Sequence, residues 1–105
     1  MKKINLKPLS INQAWQGKRY KTKEYKQFEN DLLWLLKREN KVDGKYRLTL
    51  HFFFKRRNAD LSNYIKPIED ILVKAALVED DRFCYEIVAK KFEGDDTFQF
   101  RIEKL

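Results

Sequence analysis

The most regular stretch of the chain runs from Tyr46 to Lys55, where Tyr46, Leu48, Leu50, Phe52 and Phe54 alternate with Arg47, Thr49, His51, Phe53 and Lys55. A period of two predicts a β-strand with one buried face and one mostly polar face. Upstream the period changes. From Thr22, a residue type suited to capping, apolar positions fall at Tyr25, Phe28, Leu32, Leu35 and Leu36, which predicts an amphipathic helix to about Glu39. Asn40 to Gly44 breaks that pattern, and Asp43-Gly44 is a turn signal before the strand.

A second helix is expected to begin near Asp60 to Asn63 and to end about Leu77. Pro67 limits its start, because proline is comfortable only in the first turn. At about 100° per residue, Leu61, Tyr64, Ile65, Ile68, Ile71, Leu72 and Ala75 form one core-facing stripe. Asp60, Asn63, Lys66 and Asp70 share a polar arc on nearly the opposite side. Strand patterns follow at Phe83 to Phe92 and at Phe98, Phe100 and Ile102, separated by Glu93-Gly94-Asp95-Asp96, so the last two strands read as a hairpin. At the start, Ile4 to Lys7 suits a short first strand, and Pro8 to Tyr20 has no clear period and reads as a loop. The order β-α-β-α-β-β predicts an α+β fold, with helices packed on a small mixed sheet. No internal repeat is visible.

Length and composition narrow this further. At 105 residues, the chain reads as a single domain spanning 1–105. Eight Phe, five Tyr and two Trp supply large core formers, which argues against disorder. The lone Cys84 cannot form an intrachain disulfide. No signal-like apolar segment opens the chain. The longest apolar run, Leu32 to Leu36, is far short of the roughly 20 residues a membrane span needs, so a soluble, cytoplasmic protein without a membrane partner is expected.

Charge adds direction. The net charge is +7, which favours a polyanionic partner. Residues 1–59 hold 16 Lys and Arg against 5 acids, whereas residues 60–105 hold 7 against 11. Acids beside a basic surface would repel nucleic acid unless a cation lay between, and a divalent metal is the natural mediator. Patchy charge also arises by accident in small proteins.

The acidic candidates are Asp60, Asp70, Glu79, Asp80 and Asp81. Magnesium usually takes one or two protein carboxylates and fills its shell with water and phosphate. A helix of the expected length separates Asp60 from Asp81 by roughly 25 Å, so the two meet only if the Asp80-Asp81 segment folds back. The plainer alternative makes Asp60 a helix cap and Glu79-Asp80-Asp81 an acidic loop. Lys66 could steady a phosphate or simply pair with Asp70 one turn on. Lys55, Arg56 and Arg57 form a cationic patch suited to phosphate contacts, or else charges guarding a strand edge. His51 lacks a second ligand at zinc spacing, Cys84 reads as a buried thiol, and Phe52, Phe54, Phe98 and Phe100 read as core. No Gly-rich phosphate loop, nucleophile elbow or dinucleotide fingerprint is present, so no nucleotide cofactor is expected.

The segment Asn58 to Leu72, followed by Asp80-Asp81, resembles the RusA family of Holliday junction resolvases, with its Asp-x-Asp-Asn-x-x-Lys signature and later Asp-Asp pair. Pro8-Leu9-Ser10-Ile11-Asn12 resembles the family's opening motif. The resemblance implies that Asp60, Lys66 and Asp81 are catalytic, that Asp60, Asp81 and Asp80 bind Mg²⁺ or Mn²⁺, and that Asn63 contacts DNA with Lys18, Arg19, Lys55, Arg56 and Arg57. It further implies a homodimer that cuts four-way junctions in branched DNA, in recombination or repair, with a phage or prophage setting. Ser62 stands where the signature usually has its second aspartate. Two alternatives follow: a junction-binding module of the same fold that cuts weakly or not at all, and a small basic protein that associates with RNA or protein.

Overall fold

A computed structural model describes residues 1–16 and 20–105. The elements in chain order are β1 (Lys2–Ile4), α1 (Ile11–Ala14), β2 (Trp15–Gln16), β3 (Tyr20–Lys21), α2 (Lys23–Leu35), β4 (Tyr46–Phe54), α3 (Ile65–Lys74), β5 (Cys84–Glu93) and β6 (Thr97–Lys104). Short 3₁₀ turns, Leu61–Tyr64 and Asp81–Phe83, precede α3 and β5. The fold is α+β. The main sheet has the order β1-β6-β4-β5, with β4 parallel to β5 and antiparallel to β6.

The alternation along β4 does what its period requires. Tyr46, Leu48, Leu50, Phe52 and Phe54 are buried, and they pack with Tyr25, Phe28 and Leu32 of α2, with Leu36 that caps its end, and with Ile68, Ile71 and Leu72 of α3. Both long helices therefore cover one face of the sheet. Thr22 caps α2, its hydroxyl accepting from the Tyr25 N–H at 3.1 Å. Pro67 is the third residue of α3, in the first turn where its missing N–H leaves no bond unmade.

Five expectations change. The second expected helix covers Ile65–Lys74 behind a 3₁₀ turn, rather than running from near Asp60 to Asn63 on to about Leu77. The first strand is Lys2–Ile4 rather than Ile4 to Lys7, because Ile4 is the residue whose side chain enters the core, opposite Phe98. The segment read as a loop contains α1, whose Ser10 and Gln13 form a reciprocal capping box, and the small β2-β3 ribbon. Helix α2 stops at Leu35, short of Glu39. Finally, β5 and β6 are not a hairpin, because β4 lies between them.

That last difference has a clear cause. Strands joined through a helix pair in parallel, so β4-α3-β5 claims one side of β4 and leaves β6 the other. The three-residue link from β5 to β6 then has to arch across the end of β4. It is tied there by the Gly94 N–H donating to the Phe54 carbonyl and the Lys55 N–H donating to Asp96, both at 2.9 Å. A Cβ at Gly94 would lie 2.5 Å from the Phe53 Cβ, so only glycine allows this close approach.

Candidate active site

The site begins where α3 ends. Ala75 closes the helix, Ala76 adopts a left-handed conformation at φ 59°, and the Ala76 and Leu77 N–H groups donate to the Val73 and Leu72 carbonyls. This is a Schellman closure with alanine where glycine is usual. It reverses the chain, and α3 is only ten residues, about 15 Å long. The chain then returns through a run of bends, Leu77 to Glu79, and one extended residue, Asp80, into the 3₁₀ turn that Asp81 opens.

Asp81 thereby reaches the first turn of α3. Its Oδ2 accepts from the Lys66 Nζ at 2.8 Å, and the same ammonium lies 2.9 Å from Asp70 Oδ1. The pairing with Asp70 one turn along the helix is therefore present, and the same ammonium also reaches across to Asp81 on the returning segment. Hydrogen bonding to Asp81, then to Asp70, pushes the Lys66 ammonium well above the usual lysine range. The same bond from Lys66 holds the Asp81 carboxyl below its ordinary value. An ammonium so held stays charged at neutral pH, which suits it to stabilise negative charge rather than to shuttle protons.

Asp60 stands at the start of the first 3₁₀ turn without a side-chain capping bond. Its Oδ1 instead accepts from the Ser62 hydroxyl at 3.1 Å. Asp80 caps the second 3₁₀ turn, accepting from the Arg82 N–H at 3.0 Å. Asn63 is half-buried, and its N–H donates to the Asp60 carbonyl. Lys55, Arg56 and Arg57 are exposed, and Arg57 pairs with Glu93 at 2.9 Å, a surface contact of small energy. Lys18 and Arg19 lie outside the described residues.

Two residues enter the picture that the sequence pattern did not single out. Lys91 on β5 donates to the Arg57 and Ala59 carbonyls, both at 2.9 Å, and so grips the backbone on the approach to Asp60. A lysine on a β-strand carries no local signal of such a task. Glu69 is half-buried, and burial pushes its carboxyl up, with Lys66 opposing and Asp81 and Asp70 adding. Its place in the sequence, one residue before Asp70 and between the apolar stripe and the polar arc, was the available signal.

Other expectations find their places. Phe52, Phe54, Phe98 and Phe100 are buried core. His51 is half-buried and meets Phe92 edge-on, with ring centroids 5.3 Å apart. Cys84 is half-buried rather than fully enclosed, and burial pushes its thiol up. Among the described residues, no three His, Cys, Asp or Glu side chains gather into a metal cage, and no helix is long and apolar enough to cross a membrane.

Comparison with protein families finds that the family model described as endodeoxyribonuclease RusA matches residues 8–103, nearly the whole chain. No curated protein matches the chain.

Proposed function

The chain belongs to the RusA endodeoxyribonuclease family, and from that premise we propose that it resolves four-way Holliday junctions as a homodimer, using Mg²⁺ or Mn²⁺. The observation that supports this best is the meeting of Lys66 and Asp81 at 2.8 Å, two residues fifteen positions apart that the family motif makes catalytic. In this reading Lys66 stabilises charge on the scissile phosphate. Asp60 and Asp81 are the candidate metal ligands, with Asp80 next to Asp81 in the chain as a third.

The donor chemistry fits such an ion. All three are carboxylates, which magnesium and manganese favour, and magnesium needs only one or two from the protein. Among the described residues Asp60, Asp80 and Asp81 do not gather into one three-acid cluster, so an ion held here would rest on one or two of them. Bound there, the metal would supply an activated water and positive charge beside the phosphate. The chain's own residues do the rest. Lys91 and Ser62 hold the Asp60 segment, Asp70 helps to orient Lys66, and Asn63, Lys55, Arg56 and Arg57 contact the DNA backbone together with Lys18 and Arg19.

A two-fold dimer presents two equivalent sites to a branched substrate of approximate two-fold symmetry, which allows paired cuts. Action on DNA fits a cytoplasmic protein, and recombination or packaging in a phage or prophage fits the family. One observation favours a second reading. Ser62 offers a hydroxyl where the signature carries an aspartate, and that hydroxyl is spent on Asp60, which points to a junction binder of reduced cleavage. Incubating the protein with labelled four-way junction and matched linear duplex, in Mg²⁺, Mn²⁺ or EDTA, separates the two. Symmetric paired nicks in the junction alone, lost in EDTA, support the resolvase. Tight junction binding without nicks in either metal supports the second reading.

A further inference from the structure

β5 is a ten-residue strand at the edge of the sheet, and among the described residues it pairs only with β4. None of its ten residues is buried, although half of them, Tyr85, Ile87, Val88, Ala89 and Phe92, are large or apolar. Tyr85 is 63% exposed, Ile87 42% and Phe92 41%. Ile87 and Ala89 stand on the face of the sheet that carries the core residues Leu48 and Leu50, yet the helices do not cover Ile87. A long, open, partly apolar edge of this kind is a template for pairing with another strand, and monomeric proteins usually blunt it.

We propose that this edge is where two copies of the chain meet, β5 against β5, joining their sheets into one of eight strands. The inference rests on the homodimer reading above and names its surface. Two copies related by a two-fold axis perpendicular to the sheet pair antiparallel and keep their faces, so opposed residues must lie on the same face. From Glu86 onward, Glu86, Val88, Lys90 and Phe92 share the face of Arg47, Thr49, His51 and Phe53, and Ile87, Ala89 and Lys91 share the other. With the axis at Val88, Glu86 of each copy faces Lys90 of the other, Val88 faces Val88, and Ile87 faces Ala89. No other two-fold register opposes Glu86 to Lys90. Moving the axis to Ala89 would set Val88 against Lys90 and Glu86 against Phe92. Lys90 has no ion-pair partner among the described residues, whereas Glu86 already holds Arg47, so the interface would extend that network to Lys90. Opposed unlike charges and apolar pairs are the contacts that stabilise neighbouring strands.

The test uses the full chain in two arms. In a Cys84→Ser background, Val88→Cys under mild oxidation is expected to give a disulfide-linked dimer, because residue 88 alone faces itself, and Phe92→Cys is expected to give none. In the second arm, sedimentation of Lys90→Glu is expected to show dimerisation weakened about tenfold or more, since like charges then oppose Glu86 twice. Adding Glu86→Gln, which can still bond Arg47, should recover most of that loss. A wild-type dimer that neither cross-links at residue 88 nor weakens with Lys90→Glu would overturn this surface and leave the homodimer reading standing. A wild-type protein that stays monomeric would overturn both.

Discussion

Lys66 sits between Asp81 and Asp70, and that placement sets what it can do. Its ammonium stays charged across the working range, so Lys66→Met removes a fixed positive charge without removing a proton donor. Junction cleavage is expected to fall by about 10²-fold or more with junction affinity nearly unchanged, as measured by single-turnover cleavage beside binding titration. A loss confined to affinity would make Lys66 a phosphate contact only. Glu29 shows the same physics in a structural role. It is buried between Lys74 at 2.7 Å and Lys21 at 3.0 Å, and although burial works to raise its carboxyl, the two hydrogen bonds prevail and lower it. A carboxyl lowered on folding contributes stability above its unfolded pKa, near about 4.3, and loses it as pH falls through the folded value. Glu29→Gln should therefore cost about 1–3 kcal/mol in urea unfolding at pH 7, with the difference shrinking toward pH 3. The type of each of these residues was plain in the sequence. Their partners were not, because Lys66 with Asp81 and Glu29 with Lys74 join positions 15 and 45 residues apart, and no local period encodes such pairs.

At the scale of elements, two backbone positions decide where the site assembles. Ala76 ends α3 at a positive φ that costs an alanine about 1 kcal/mol, so Ala76→Gly is expected to raise thermal stability by up to about that amount. A decrease would mean that the closure does not require the left-handed conformation. Gly94 has the opposite lesson, since any side chain there meets Phe53. Gly94→Ala should lower the unfolding midpoint substantially, by opening the link that carries β5 across the end of β4. Helix α3, strand β4 and their core faces were legible because their periods are long and regular. The parallel pairing of β5 with β4 was not, since a short turn between β5 and β6 reads locally as a hairpin. The fold-back of Asp81 depended on the length of α3, and helix ends are set by closures such as Ala76 that carry little signal when the residue is not glycine.

Across the whole molecule, a net charge of +7 coexists with a cluster of acids, and the fold separates their tasks. Lys55, Arg56 and Arg57 leave β4 exposed at the approach to Asp60, and Lys91 holds that approach in place. Replacing the three by alanine is expected to weaken binding to junctions of any sequence and to lower the slope of affinity against salt by up to about 2.7, without changing where cuts fall. A change in cut position would assign them to readout of the bases instead. The central claim is that Asp81, brought beside Lys66 by the returning chain, belongs to the catalytic centre of a junction-cutting nuclease. The most direct measurement compares wild-type protein and Asp81→Asn on one labelled four-way junction, scoring binding and symmetric nicking in the same Mg²⁺ reaction. Retained binding with nicking lost is the expected result, and nicking undiminished in Asp81→Asn would contradict the claim.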